Sequence, residues 1–470
     1  MLRSEPSRRP DLSGRGPGAG LWRQEIRALL GLAVPLALAE LSFVAISTTD
    51  IVMMGWLGAD ALAAGSLGGH FYATFYFFAV GVVSAAGPMI AQVLGARKTR
   101  AVRHIVRQGF WTAAGLGLLF TAVIWQVRPI LIAFGQDPAI AALAEPYVRA
   151  MVVGLVPGIA LVVLWELASA HSRPRAALVV SVIGIGINVL GNYCLMFGNF
   201  GFPRLGLTGA GISSAIVSTY MFLALLGFVL WDRQFRRYAI LSGLWRADWP
   251  RLREIFAIGV PLGFTGLAEV GIFVASAFMI GLIGTRELAA HAVALQCLEV
   301  AIMIPVGLRS AASVRVGLAA GAGDAAGVRR AGWTALGLVA GYALALGLLI
   351  YLLRWPLVGL FLDLDVADNQ PVAALAVTFL TIGTLFLWVD SAQIVAAGVL
   401  QGLKDTRVPM ALALFGFWVV GISAGWTLGL TLGWGGVGVW TGLALGIGGV
   451  ALLLVLRFHR LPLDRYIGRV

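Results

Sequence analysis

The stretch ISTTDIVMMGWLG (residues 46–58) closes an apolar run that extends from Ala28 to Leu57 without a Lys or Arg, yet Asp50 sits inside it. A run of this length suits a helix crossing the hydrocarbon core, which needs about 20 apolar residues. Ionising a carboxylate at such depth is expensive, and no neighbour in sequence neutralises it. The rest of the chain has to supply what balances Asp50.

Comparable runs recur at about 62–91, 109–127, 147–170, 176–197, 207–231, 255–283, 288–308, 332–353, 371–400, 409–430 and 435–456. The composition agrees: 59% of residues are hydrophobic, 12% are charged, and the mean hydropathy is +0.90. Soluble domains keep about 25% of their residues charged. The chain therefore reads as an all-α membrane protein with twelve transmembrane helices, because only helices or closed barrels satisfy their own backbone in lipid. The runs are too long for barrel strands of about 10 residues.

A net charge of +12 invites a nucleic-acid reading, which its distribution rejects. With the amino terminus inside, cytoplasmic segments carry 28 of the 34 Lys and Arg, clustered at 97–107, 233–253 and 457–469. Outer loops hold only Arg128, Arg149, Arg204, Arg286 and Arg354, and Arg309 falls within the eighth span. This is the positive-inside bias, and it places both ends in the cytoplasm. The Pro- and Arg-rich residues 1–27 read as a disordered tail, with no cleavable signal segment. Cys194 and Cys297 both lie in expected spans and make no disulfide framework.

Shifting the chain by 226 positions matches it to itself. The tripeptide VPL at 34–36 meets VPL at 260–262, LAA at 62–64 meets LAA at 288–290, and SAA at 84–86 meets SAA at 310–312. Near the end of each half, LGLTGAGI (205–212) meets LGWGGVGV (432–439), at a shift of 227. An even number of spans per half keeps both copies in one orientation, related by an axis along the membrane normal. We thus expect a six-helix bundle over 28–231, a basic cytoplasmic linker over 232–254, a second six-helix bundle over 255–456, and a cytoplasmic tail over 457–470. Such duplication is typical of secondary transporters that bind between their halves.

Six acids fall inside expected spans: Glu40, Asp50, Glu166, Glu269, Glu299 and Asp390. Arg309 lies ten residues from Glu299, about 15 Å along a helix, so those two do not form a neighbouring pair. The acids must meet a mobile cation, bind a proton, or face water; hydrogen bonding within the bundle is the competing structural role. Asp50 aligns with Ser276 and Glu269 with Phe43, so each half sets its carboxylate at a different depth, about 10 Å apart. Glu269 and Asp390 fall near mid-span in the second half, where two close carboxylates would not both stay charged without a cation. Asn188 and Asn192 share one helix face at i and i+4. Their amides, with Ser214 as a further hydroxyl, either complete a cation shell around Asp50 or simply bond neighbouring helices. The five His residues are scattered, and no GxxxxGK[ST] loop is present, so metalloenzyme and ATP-driven chemistry lack their residues.

At this point the motifs resemble the multidrug and toxic compound extrusion (MATE) transporters, specifically the NorM-like bacterial branch. The anchors are TTDIVMMGWLGADALAAGSLG (48–68), GPMIAQVLGAR (87–97), NVLGNYCLMFGNFGFPRLGLTGAGI (188–212), GVPLGFTGLAE (259–269), LAAHAVAL (288–295), SVRVG (313–317) and VDSAQIVAAGVLQGLKDTRVP (389–409). The resemblance implies two pseudo-symmetric bundles in a V and an inner-membrane antiporter that exports cationic amphipathic drugs or dyes against Na+ or H+. It implies no cofactor, no enzyme activity, and a monomer whose partners are cargo, coupling cation and bilayer. Its cation positions match Asp50 with Asn188 in the first half and Glu269 with Asp390 in the second; Asn192 stands where some members carry an aspartate. Phe386 stands where sodium-coupled relatives have Tyr, and Phe offers no oxygen; Ala292 replaces a common amide. Glu40, Glu269, Phe273, Phe386 and Asp390 are the candidate cargo contacts.

Three rivals predict other residues. A lipid-linked oligosaccharide flippase expects basic residues along its central cavity, whereas the intramembrane excess here is acidic. A major-facilitator transporter expects a Gly- and Asp/Arg-containing loop after span two, which LGARKTRAVR (94–103) lacks. A membrane-embedded lipid-modifying enzyme expects His/Asp clusters at one interface.

Overall fold

The computed structural model describes residues 19–243, 245 and 248–468. Its spanning helices are α1 (Ala19–Gly55), α2 (Ala59–Gly95), α3 (Thr99–Ile124, bent by 59° into Val127–Ala133), α4 (Pro138–Val152, bent by 46° into Leu155–Ala170), α5 (Pro174–Phe197) and α6 (Leu207–Trp231). The second half comprises α7 (Trp249–Ile283), α8 (Thr285–Gly321), α9 (Ala325–Gly359), α10 (Gln370–Gly402), α11 (Arg407–Thr431) and α12 (Gly435–Arg460). Among the described residues ten helices are long and apolar enough to cross a bilayer, twelve when each bent pair is one span, and there is no strand.

Helix starts follow local rules. Asp137 and Asp324 accept from Ala139 N and Gly327 N, capping α4 and α9, and Pro138 and Pro174 stand at first helical positions where a missing N–H costs nothing. The repeated VPL places Pro35 inside α1 and Pro261 inside α7, each removing one ladder bond. The bend in α4 falls at Gly154, which packs against the Ala215 backbone of α6.

Several helices outrun their apolar cores. α1 begins at Ala19, so the expected disordered tail over 1–27 is corrected: its residues 1–18 lie outside the described ones, and 19–27 are helical. α8 continues to Gly321, thirteen residues past its apolar run, and α3 starts at Thr99, ten before its run. The extensions carry Arg23, Arg27, Arg100, Arg103 and Arg315, whose long side chains keep their charges at the interface while the backbone stays helical. The expected linker over 232–254 contains Leu244, Arg246 and Ala247, which lie outside the described residues. Its first part packs on the first half, with Phe235, Tyr238 and Ile240 buried and Tyr238 hydroxyl 2.8 Å from His171 Nε2. His171, at the end of α4, is held below its ordinary pKa by burial and by the nearby Arg237.

The two halves meet at the end that carries the basic clusters. A Cβ on Gly81 would lie 2.6 Å from Gly263 Cα, and one on Gly307 2.5 Å from Ala37 N, so backbones touch where side chains are missing. Phe78 meets Phe264 edge-on at 5.3 Å, and Gln92 Nε2 donates to the Gly402 carbonyl at 3.0 Å. Glu25, 5% exposed, accepts from Arg315 Nε at 2.8 Å and Nη2 at 2.7 Å. This bidentate bond, the strong form of ion pair, ties α1 to α8 across the seam. These contacts involve residues 25–37 and 78–95 with 259–264, 307–321 and 402, so the halves are joined at one end, in the manner of a V.

Within the second half, α11 and α12 pack through glycines. A Cβ on Gly446 would lie 2.6 Å from the Gly416 carbonyl and from Gly421 Cα, one on Gly438 2.5 Å from Gly429 N, and one on Gly442 would collide with Gly425 N. α11 widens into π-helical turns at Phe415–Gly421 and Thr427–Thr431, placing those glycines against α12. Changing Gly442→Val should therefore destabilise the fold by on the order of 1–3 kcal/mol. Thermal unfolding followed by size-exclusion chromatography should show it, with Gly449→Ala, which meets nothing within 4 Å, unchanged.

Candidate functional site

Three helices converge on Asp50. α1 carries it near its end, α5 presents Asn188 and Asn192 on one face, and α6 brings Ser213 and Ser214. The approach of α6 to α5 depends on Gly191, where a Cβ would stand 2.5 Å from Ser213 Oγ. Asp50 Oδ1 accepts from Asn188 Nδ2 at 2.8 Å and Asn192 Nδ2 at 2.6 Å, while Oδ2 accepts from Ser214 Oγ at 3.1 Å. Both asparagines are fully buried, and Ser213 Oγ donates to the Asn188 carbonyl at 3.3 Å. Asn192 Oδ1 is buried without a hydrogen-bond partner.

All three partners of the carboxylate are neutral donors. Hydrogen bonds to a charged group contribute about 1.5–3 kcal/mol each, which stabilises an anion here without neutralising it. The arrangement can hold a carboxylate, and it can hold the protonated acid once an amide turns its oxygen inward. The spare Asn192 Oδ1 is the group able to do so. In this arrangement two amides and a hydroxyl aim hydrogens at the carboxylate, and the turn of an amide presents an oxygen to whichever positive species arrives.

In the second half Glu269 stands on α7 and Asp390 on α10, near enough to interact electrostatically. Asp390 is buried, and Gln393 Nε2 donates to Glu269 Oε1 at 3.3 Å. Gln393 escaped the sequence reading, although its spacing of three from Asp390 puts it on the same helix face. Phe273 and Phe386 meet edge-on at 6.0 Å, but Phe386 is 0% exposed, wedged also against Trp440. As a cargo contact Phe386 is corrected: it is core packing, with no surface to offer in this state.

Glu40 and Glu166 lie within electrostatic range of Arg309, which stands on α8 across the seam. Glu166 Oε2 packs directly over Gly87, where any Cβ would collide with it. Counting along one helix could test Arg309 only against Glu299, which is exposed on α8. Glu40 keeps its candidacy as a cargo contact, on α1 within electrostatic range of that cation. A groove of about 730 Å³ between α4 and α6, lined by Ala150, Val153, Ile216, Thr219 and Leu223, touches none of these acids. Among the described residues no group of three or more His, Cys, Asp or Glu is placed to hold a metal.

Comparison with known proteins follows the same lines. The family model MatE matches residues 35–194 and 261–427. The probable multidrug resistance protein NorM of Brucella suis biovar 1 (strain 1330) is 43% identical over 444 residues, covering 94% of each chain. That of Mesorhizobium japonicum is 43% identical over 454 residues, covering 96% of this chain and 97% of the relative. Among solved structures, the outward-facing conformation of a multidrug resistance MATE family transporter of the MOP superfamily superposes with a TM-score of 0.85 at 18% identity, covering 96% of this chain and 99% of that one; this likeness concerns the fold.

The neutral shell makes a direct prediction. In Asn192→Asp a second carboxylate lies beside Asp50, and two anions that close call for a cation. Sodium should then raise thermal stability, by about 1.4 kcal/mol at a concentration tenfold above its Kd, while wild type responds little. Equal responses to sodium and to an inert cation of similar ionic strength in the variant would count against this reading of the shell.

Proposed function

The chain belongs to the MatE family of multi-span membrane transporters, and on that premise we propose that it expels cationic amphipathic compounds in exchange for protons taken up at Asp50. The observation that carries this is the Asp50 cluster: a carboxylate within the bundle, held by three neutral donors and, among the described residues, by no cation. Burying an unpaired carboxylate is costly, so the group persists where a positive species repeatedly relieves it. Three donors facing the carboxyl favour its anion, and a turn of the Asn192 amide that presents Oδ1 lets the cluster take up a proton.

The relatives' description as multidrug resistance proteins and the acidic excess inside the spans both support a cationic cargo. Glu269 and Asp390, with Gln393 beside them, form the second acidic region, placed in the other half, where cargo or a second coupling cation would bind. The seam supports alternating access. The halves are joined at the end bearing the basic clusters, so on the positive-inside assignment the described state is closed to the cytoplasm. Opening inward would require the Glu25–Arg315 bond and the glycine contacts at Gly81 and Gly307 to part. The expected location is the bacterial inner membrane, with both termini cytoplasmic.

Proteoliposomes separate the drivers. An imposed pH gradient, inside alkaline or acid according to insertion, should drive ethidium movement, and an imposed sodium gradient at equal pH should not. Asp50→Asn should reduce gradient-driven transport to the level of empty vesicles with normal protein incorporation, and Asp390→Asn should impair it as well. Wild-type rates in Asp50→Asn, or transport driven by sodium alone, would defeat the proposal.

A further inference from the structure

The second half has its own unmet polar groups at the place corresponding to the Asp50 region, and they are of a different kind. The shifts that superimpose the halves set Ser276 on Asp50, His291 on Gly65 and Trp440 on Ser213. Ser276 is fully buried and returns its hydroxyl to the Phe273 carbonyl at 2.7 Å, so it offers nothing like the lost carboxylate. His291 on α8 is 1% exposed, and neither of its ring nitrogens has a hydrogen-bond partner. Its ring meets Trp440 of α12 edge-on at 5.5 Å, and the Trp440 indole N–H, fully buried, also lacks a partner. One turn before His291 on the same helix, Glu287 sets its buried and unpartnered Oε2 against Gly436, one turn before Trp440 on α12. Phe379 and Phe386 of α10 pack on Trp440 from the other side, at 6.1 and 5.7 Å.

Four buried polar atoms without partners, on the facing stripes of two helices, need an account. An orphaned donor or acceptor in the interior costs about 1–3 kcal/mol, and native interiors leave few of them. The atoms are chemically complementary. A neutral imidazole donates once and accepts once, the indole only donates, and the ionised carboxylate only accepts. A proton added to His291 makes both ring nitrogens donors and supplies the positive charge that Glu287 lacks.

We propose that His291, with Trp440 and Glu287, forms a second proton-binding site between α8 and α12, in which the imidazole takes up a proton from water and returns it to water. The ionisable groups of the surrounding helices include Glu269, Glu40, Tyr342 and Asp390. Glu269 of α7 bonds Gln393, Glu40 of α1 senses Arg309, and the Tyr342 hydroxyl of α9 donates to the Ala301 carbonyl at 2.7 Å. α12 brings Trp440 and no ionisable group to this stretch, while α10 brings the two phenylalanines, with Asp390 one turn beyond Phe386. Glu287 on α8 itself is the charge that accompanies the imidazole. The proposal reaches past Asp50, and its binding test does not depend on transport.

Trp440 is the built-in reporter, because a protonated imidazole against an indole quenches its fluorescence. The purified full chain in lipid nanodiscs is titrated from about pH 8 to about pH 4, a window around the histidine range, and the signal of Trp440→Phe is subtracted. The difference should fall on acidification, the fall should vanish in His291→Gln, and its midpoint should move to lower pH in Glu287→Gln, each variant measured against its own Trp440→Phe background. A flat wild-type difference, or the same fall in His291→Gln, overturns the proposal. If His291→Gln does not fold, an unmoved midpoint in Glu287→Gln overturns it instead. A flat titration in protein that still exports ethidium leaves the transport reading standing, and a normal titration in protein that exports nothing leaves this site standing.

Discussion

A partly buried carboxylate that no charge among the described residues neutralises is the constraint around which the first half is built. Asp50 receives three hydrogen bonds from α5 and α6, and each donor is neutral. The geometry that delivers them reaches well beyond the cluster. Asn188 and Asn192 must share a helix face, Gly191 must lack a side chain for Ser213 and Ser214 to approach, and α1 must run far enough to present Asp50. The bonds lower the cost of the anion without removing it, and the remainder is what an exchanged cation can supply.

The second half reaches a different solution on the same scaffold. Where the repeat would set a carboxylate it has Ser276, and its acids lie at Glu269 and Asp390. Duplicated bundles need not share chemistry, since the fold is maintained by small-residue contacts at positions other than the functional ones. The α11–α12 glycine packing and the seam at Gly81, Gly263 and Gly307 belong to that scaffold. Seam contacts of this type are also reversible: they bury backbone against backbone, with the Glu25–Arg315 ion pair and the Gln92–Gly402 hydrogen bond among the polar ties there.

Much of this was legible in the sequence because lipid leaves few options. Long uncharged runs had to be helices, and an acid inside one had to be explained, which led to Asp50 and, by helical spacing, to Asn188 and Asn192. Helix ends were less legible, since Arg23 or Arg315 reads as loop in a hydropathy pattern while the backbone continues helical into the interface. Contacts between distant helices were not legible at all. Arg309 of the other half comes within electrostatic range of Glu40 and Glu166, and Phe386 turns into the core against Trp440. A single sequence contains no distance between helices, so partners more than a turn apart had to come from the packing.

The central claim is that Asp50 exchanges a proton for cargo. Its most direct test is the count of protons released into weakly buffered solution when the purified transporter binds ethidium at neutral pH. The account predicts release on binding in the wild type and a clear loss of it in Asp50→Asn. Ethidium binding to the wild type with no proton released, or undiminished release from Asp50→Asn, would contradict it.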